Sequence, residues 1–167
     1  EVMIYSYHYL FGIDATVVRY FTVYGPAGRP DMSMFRFIRW IDEGSELVLY
    51  GDGSQSRDFT YVSDIADGTI RALKPVGFEV VNLGNSHPHE LKEMIHLIEE
   101  NLGKKARIRQ LEFQKTDMMA TWADVSKAKA LFGWEPMVPL AEGVRKTVEW
   151  YVDNREWVAT LNIDMSK

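Results

Sequence analysis

The stretch Ala15-Thr16-Val17-Val18-Arg19-Tyr20-Phe21, running into the loop Gly25-Pro26-Ala27-Gly28-Arg29-Pro30, decides how the chain is read. Its residues are β-branched and apolar on both faces, the pattern of a strand buried in the middle of a parallel sheet. Upstream, residues 1–11 are aromatic-rich and helix-compatible, and Gly12 supplies a natural stop because glycine tolerates the left-handed conformation. No Ser, Thr, Asp or Asn cap precedes Glu1, so the sequence is expected to begin inside an element whose earlier turns are missing.

Downstream, helical and extended patterns alternate. Ser33 can cap a helix with the apolar stripe Met34, Phe37, Ile38 and Ile41, which Gly44 closes. Leu47 to Tyr50 reads as a short strand, Gly51 to Ser56 as a turn, and Arg57 to Val62 as a second strand. Ser63 or Asp64 is expected to start a helix that stops before Pro75. Phe78 to Leu83 is a strand, and Leu91, Met94, Ile95, Ile98 and Leu102 mark an amphipathic helix ended by Gly103. A short strand over Ala106 to Leu111 follows, then a brief helix capped by Asp124 and ended by Gly133, then a long helix from Leu140. Strands alternating with helices predict an α/β fold, whose ligands sit at the carboxyl ends of strands; the loop after Phe21 lies at such an end. There is no internal repeat or linker, so residues 1–167 are expected to form one domain.

Composition narrows the function classes. Of 167 residues 46% are hydrophobic, enough for a sizeable core, and 19 Lys+Arg against 24 Asp+Glu leave a formal charge of −5, which argues against nucleic acid as a partner. With no cysteine there is neither a disulfide framework nor a thiolate metal site, and a reducing cytoplasm is compatible. Apolar runs break well short of the roughly 20 residues a membrane helix needs, and the amino terminus does not read as a signal peptide, so a soluble protein is expected. His8, His87, His89 and His96 are too scattered to converge on a metal. Asp64 and Asp67 read as charges favoured by a helix start, and Trp122, Trp134, Trp150 and Trp157 as core or interface anchors.

Val18-Arg19-Tyr20-Phe21-Thr22-Val23-Tyr24-Gly25-Pro26 with Gly28-Arg29-Pro30-Asp31-Met32, then Arg57-Asp58-Phe59-Thr60-Tyr61-Val62-Ser63-Asp64-Ile65, Asn82-Leu83-Gly84-Asn85 and Ala123-Asp124-Val125-Ser126-Lys127-Ala128 stand in a telling order. Together they resemble the part that follows the catalytic helix in UDP-glucuronate 4-epimerases and their relatives, the NAD-dependent nucleotide-sugar epimerases and dehydratases of the extended short-chain dehydrogenase/reductase superfamily. The likeness runs to about residue 157. It implies the last strands of a Rossmann-like sheet together with a small substrate-binding subdomain.

That family uses a glycine-rich turn for NAD and a Tyr-x-x-x-Lys helix for proton transfer. Neither motif occurs here: there is no G-x-x-G-x-x-G, and the residues four beyond Tyr5, Tyr7 and Tyr9 are Tyr9, Phe11 and Ile13. The resemblance therefore implies a substrate-binding part with no catalytic residue of its own, binding no NAD by itself although the full-length family does.

For the ligand, the resemblance places Arg57 on the sugar-nucleotide diphosphate, which suits an always-charged guanidinium able to donate two parallel hydrogen bonds. Arg29 would approach a sugar carboxylate or the diphosphate, with Thr22 beside the same carboxylate. Val48 and Tyr50 correspond to the strand that contacts uracil. Gln114 and Asp117 correspond to a Gln-Pro-Gly-Asp turn whose aspartate lies near the ribose, here with Lys115 and Thr116 in place of proline and glycine. Ala27 stands where close relatives often carry tryptophan. Residue type alone also admits an ion-paired Arg57, a Thr22 that only fills space, and a Tyr50 that is simply a strand residue. The expected partners are a UDP-sugar or related nucleotide sugar and a second copy of the chain. The alternatives are a non-catalytic module that binds a nucleotide sugar or a protein, and a truncated product folding by self-association.

Overall fold

The computed structural model describes residues 1–161. In chain order its elements are α1 (Val2–Phe11), β1 (Ala15–Tyr20), β2 (Thr22–Tyr24), α2 (Ser33–Glu43), β3 (Glu46–Tyr50), β4 (Ser56–Arg57), β5 (Phe59–Tyr61) and α3 (Val62–Arg71). They continue with β6 (Phe78–Leu83), β7 (His89–Glu90), α4 (Leu91–Leu102), β8 (Arg107–Leu111), α5 (Ser126–Phe132), α6 (Leu140–Asp153) and α7 (Arg155–Ala159). The chain folds into two compact units, each assembled from three separate segments. Of the described residues, the first takes 1–23, 58–88 and 122–138, and the second takes 24–57, 89–121 and 139–161.

In the first unit β1 and β6 pair in parallel, from Ala15 opposite Phe78 to Tyr20 opposite Leu83. Ile65 of α3, Val81 and Leu83 of β6, Ala128 and Phe132 of α5 and Trp134 form its core. Gly68 lets α3 lie directly against the indole: a Cβ there would stand 2.9 Å from Trp134 Nε1, which donates to the Asp64 carbonyl at 3.0 Å. The fully buried carboxylate of Asp58 ties three segments together. It accepts from Thr60 Oγ1 at 2.8 Å, from the amides of Asn85 and Ser86 at 2.5 and 3.1 Å, and from the amide of Ala123 at 2.8 Å.

Several sequence expectations are corrected here. β1 is not buried on both faces: its first four residues are half-buried, its last two exposed, and among the described residues its ladder partner is β6. The expected Arg57–Val62 strand is split at Asp58, whose side chain turns inward to its four donors, and Val62 already begins α3. Neither Ser33 nor Ser63 nor Asp64 caps a helix; α2 and α3 start after the extended residues Met32 and Tyr61 without a side-chain cap. Asp64 is more than a helix-start charge, because it is buried and accepts the amides of Met137 and Val138, both at 2.9 Å. Of the tryptophans, Trp134 is a core residue while Trp122 and Trp157 are exposed.

The second unit pairs β3 in parallel with β8 and packs α4 against α2 and α6. Ile38 and Ile41 of α2, Met94 and Ile98 of α4, and Val144 and Val148 of α6 are all at most 2% exposed. Burying each contributes about 1.5–3 kcal/mol, against about 0–1 kcal/mol for an exposed pair such as Arg145–Glu149. Packing of the three helices, rather than surface charge, therefore fixes this unit. The left-handed glycines Gly44 and Gly103 end α2 and α4 as the sequence predicts, as Gly12 and Gly133 do in the first unit.

Candidate functional site

A cavity of about 310 Å³ opens within the second unit. Its floor follows from strand periodicity. Val48 lies opposite Arg109 and Tyr50 opposite Leu111 in the β3–β8 ladder, and these four side chains reach the cavity with Leu49. One wall follows from helix periodicity: Ser33, Arg36, Phe37 and Trp40 recur at the i, i+3, i+4, i+7 spacing of one α2 face. Arg36 lies over the Trp40 ring, its Cζ 4.6 Å from the centroid, in a cation–π contact that holds the cation beside the slot. Gln55 and Leu91 close the end; the Leu91 amide donates to the Gln55 carbonyl at 3.0 Å, fixing the start of α4 against the turn after β3.

Asp31 and Asp117 bring negative charge to the rim. Asp117 Oδ1 accepts from Arg57 Nη2 at 2.6 Å, and Arg57, which is 18% exposed, also donates from Nη1 to the Ser56 carbonyl at 2.9 Å. Asp31 is paired with Arg29 through two hydrogen bonds, 3.1 Å from Nε and 2.5 Å from Nη2. Those bonds hold the Asp31 carboxyl below its usual range.

The sequence-predicted residues thus divide. Val48, Tyr50 and Asp117 line the cavity, and Arg57 is tied to it through Asp117. Arg29 is exposed and reaches the rim only through its pair with Asp31. Gln114 is exposed; its carbonyl accepts the Asp117 amide at 2.8 Å and so shapes the turn, while its side chain does not line the cavity. Thr22 belongs to the first unit, where it is half-buried and its amide donates to the Asp58 carbonyl at 3.1 Å. The sequence reading missed Asp31, Arg36, Trp40, Gln55 and Arg109 as lining residues. The signal for two of them was present: Arg36 and Trp40 flank Phe37 at helical spacing, one stripe round from the core face.

Chemically, the slot is apolar and aromatic along its length, with guanidinium groups at its wall, floor and edge. Such a lining suits a flat heteroaromatic group carrying an anionic substituent. Among the described residues no group of three His, Cys, Asp or Glu side chains could hold a metal ion, and no helix is long and apolar enough to cross a membrane.

Known proteins give the geometry its context, and the resemblance expected from the ordered motifs is borne out. The chain is 51% identical over 164 residues to a UDP-glucuronate 4-epimerase of Thermodesulfobacterium geofontis, covering 98% of this chain and 51% of that protein. Among solved structures, the UDP-glucuronic acid 4-epimerase of Bacillus cereus in complex with UDP-glucuronic acid and NAD is 36% identical with a TM-score of 0.84, over 91% of this chain and 49% of that one. The UDP-glucose 4-epimerase of Thermotoga maritima with UDP-glucose is 29% identical with a TM-score of 0.86, over 92% and 51%. The α/β class with parallel strands expected from the sequence is thus the architecture of NAD-bound, Rossmann-like epimerases. The chain spans about half the length of the relatives it matches. Residues 1–84 match the family model described as the NAD dependent epimerase/dehydratase family, and the chain belongs to that family.

Proposed function

We propose that this chain is the substrate-side part of a UDP-sugar epimerase, and that the second unit's cavity takes the nucleotide. The observation that carries this reading is the pairing of an apolar, aromatic slot with the Arg57–Asp117 pair at its rim. Val48 and Tyr50 contact the base, Asp117 the ribose, and Arg57 the diphosphate, exchanging its carboxylate partner for phosphate oxygens. Gln114 supports the ribose contact by shaping the Asp117 turn. Arg29 and Thr22 serve the sugar, as expected for a hexose that carries a carboxylate. For the whole protein the proposed reaction is inversion at one sugar carbon, for which bound NAD would supply the hydride chemistry. The 167 residues contain neither a G-x-x-G-x-x-G turn nor Tyr-x-x-x-Lys, so they do not fit NAD and no hydride step is assigned to them. The cysteine-free composition fits a cytoplasmic setting.

Calorimetric titration of UDP-glucuronate and UDP-glucose tests the reading. Binding at millimolar or lower concentration that Arg57→Ala weakens at least tenfold supports it. No heat with either ligand refutes it.

A second reading, self-association, is favoured by α1. Val2, Met3, Tyr7, Tyr9, Leu10 and Phe11 are all more than half exposed, and no residue of α1 is buried. Apolar surface of that extent favours burial against another polypeptide. Sedimentation equilibrium distinguishes the cases: a dimer that Leu10→Glu converts to a folded monomer supports this reading, and a monomeric wild-type chain removes it.

A further inference from the structure

The side chain of Gln55 is 2% exposed, and its Nε2 donates to the Tyr50 carbonyl, which fixes the amide's orientation. Turning it over would set Oε1 against that carbonyl, acceptor to acceptor. What remains is a buried Oε1 with no hydrogen-bond partner among the described residues, beside the cavity that Gln55 lines. The neighbouring backbone donors are committed elsewhere: the amides of Gly51, Leu91 and Lys92 go to the carbonyls of Leu111, Gln55 and Gly53. The turn is shaped around this carboxamide. Gly51 has φ +78°, and a Cβ there would stand 2.8 Å from Gln55 Nε2. A buried acceptor left unpaired is costly, and a ligand that brings a donor recovers that cost.

Of the other polar side chains that line the slot, Arg36, Arg109 and Trp40 only donate, Ser33 and Tyr50 carry hydroxyls that donate or accept, and Asp31 and Asp117 accept at the rim. A buried, unpartnered acceptor in a slot that also carries guanidinium donors suits a ring edge that presents an N–H between two carbonyls. Uracil presents that edge at its imide, whereas cytosine offers an acceptor nitrogen at the same place. Resting on the reading of this cavity as the nucleotide pocket, we propose that Gln55 is its base-specificity residue, its Oε1 accepting from the uracil imide N–H after a small rotation toward the slot. An acceptor facing an acceptor then excludes cytosine.

Binding of UDP, CDP and N3-methyl-UDP to the chain by calorimetry, with inorganic pyrophosphate as a base-free control, provides the test. The expected result is that UDP binds about tenfold or more tightly than CDP and N3-methyl-UDP, the discrimination a site gains by leaving a buried group unpaired with the wrong ligand. Gln55→Leu should reduce UDP to the level of CDP and leave pyrophosphate unchanged. Equal binding of the three nucleotides by the wild-type chain overturns the role of Gln55 while sparing the pocket. Binding of pyrophosphate but of no nucleotide more tightly overturns both. Because the wild-type comparison varies the ligand alone, it holds even if Gln55→Leu does not fold.

Discussion

Arg57 and Asp117, 60 residues apart in sequence, meet at 2.6 Å, so the guanidinium proposed to hold a diphosphate already has a carboxylate partner. Any anion that binds there competes with Asp117. Replacing Asp117 by Asn preserves shape and removes the competing charge, so affinity for pyrophosphate, which lacks the ribose that Asp117 is proposed to contact, is expected to rise about threefold to tenfold and to fall more steeply with salt. Titrations at low and high ionic strength measure this; an unchanged salt dependence would mean that the anion does not use Arg57.

The Asp58 staple is expected to govern the stability of the first unit. Asp58→Asn would point an amide donor at backbone donors and should cost about 3–5 kcal/mol. Gly84→Ala should act at the same place, since its Cβ would stand 2.5 Å from Ala123 Cβ and 2.9 Å from Asp58 Oδ2. Denaturant unfolding of the two single variants and the double variant should show strong non-additivity.

Asp42 makes stability of the second unit sensitive to acid. Burial pushes its carboxyl up, but hydrogen bonds and charge from Arg155 and Lys104 outweigh burial and leave it below the ordinary value of 3.8. A carboxyl lowered on folding stabilises the fold above its unfolded pKa, and that contribution is lost as pH drops below 3.8 toward the folded value. Asp42→Asn is therefore expected to lose about 1–2 kcal/mol at neutral pH and progressively less at lower pH, read from urea melts across the acid range. At the alkaline end burial, then the charges of Asp42 and Glu43, raise the Tyr151 phenol to about 12. Its contribution is complete below 10.0 and disappears as pH rises through about 12.

Gly143 sits where α6 passes Tyr24, and a Cβ there would clash with the phenol oxygen. Gly143→Ala should destabilise the second unit by about 1–3 kcal/mol despite alanine's better helix propensity. Tyr24→Phe in the same chain removes the closest atom and should recover part of that loss. Thermal melts of the pair would show whether the clash or the helix propensity dominates.

Helix ends were legible in the sequence because Gly12, Gly44, Gly103 and Gly133 each take the left-handed conformation that a stop requires. Helix starts were less so, since α2 and α3 begin without side-chain caps and the candidates Ser33, Ser63 and Asp64 lie inside the helices rather than at the cap position. The β1 pattern told of a parallel strand but not how deeply it is buried, because burial depends on what lies on each side and periodicity does not report neighbours. At the site, Val48, Tyr50 and Asp117 could be placed from motif order. Gln55 and Arg109 could not: one matters through an atom left unpaired, the other through its register opposite Val48, and both arise only when distant segments pair.

The interleaving of the two units bears on how this protein can be divided and inherited. The path changes unit at Val23/Tyr24, Arg57/Asp58, Pro88/His89, Thr121/Trp122 and Val138/Pro139. No single cut frees either unit, so neither can be exchanged as a cassette. One of those junctions falls between the residue proposed to read phosphate and the residue that staples the first core. A substitution at Arg57 therefore acts on recognition and one at Asp58 on folding, so two properties that belong to different units are inherited together as neighbouring codons.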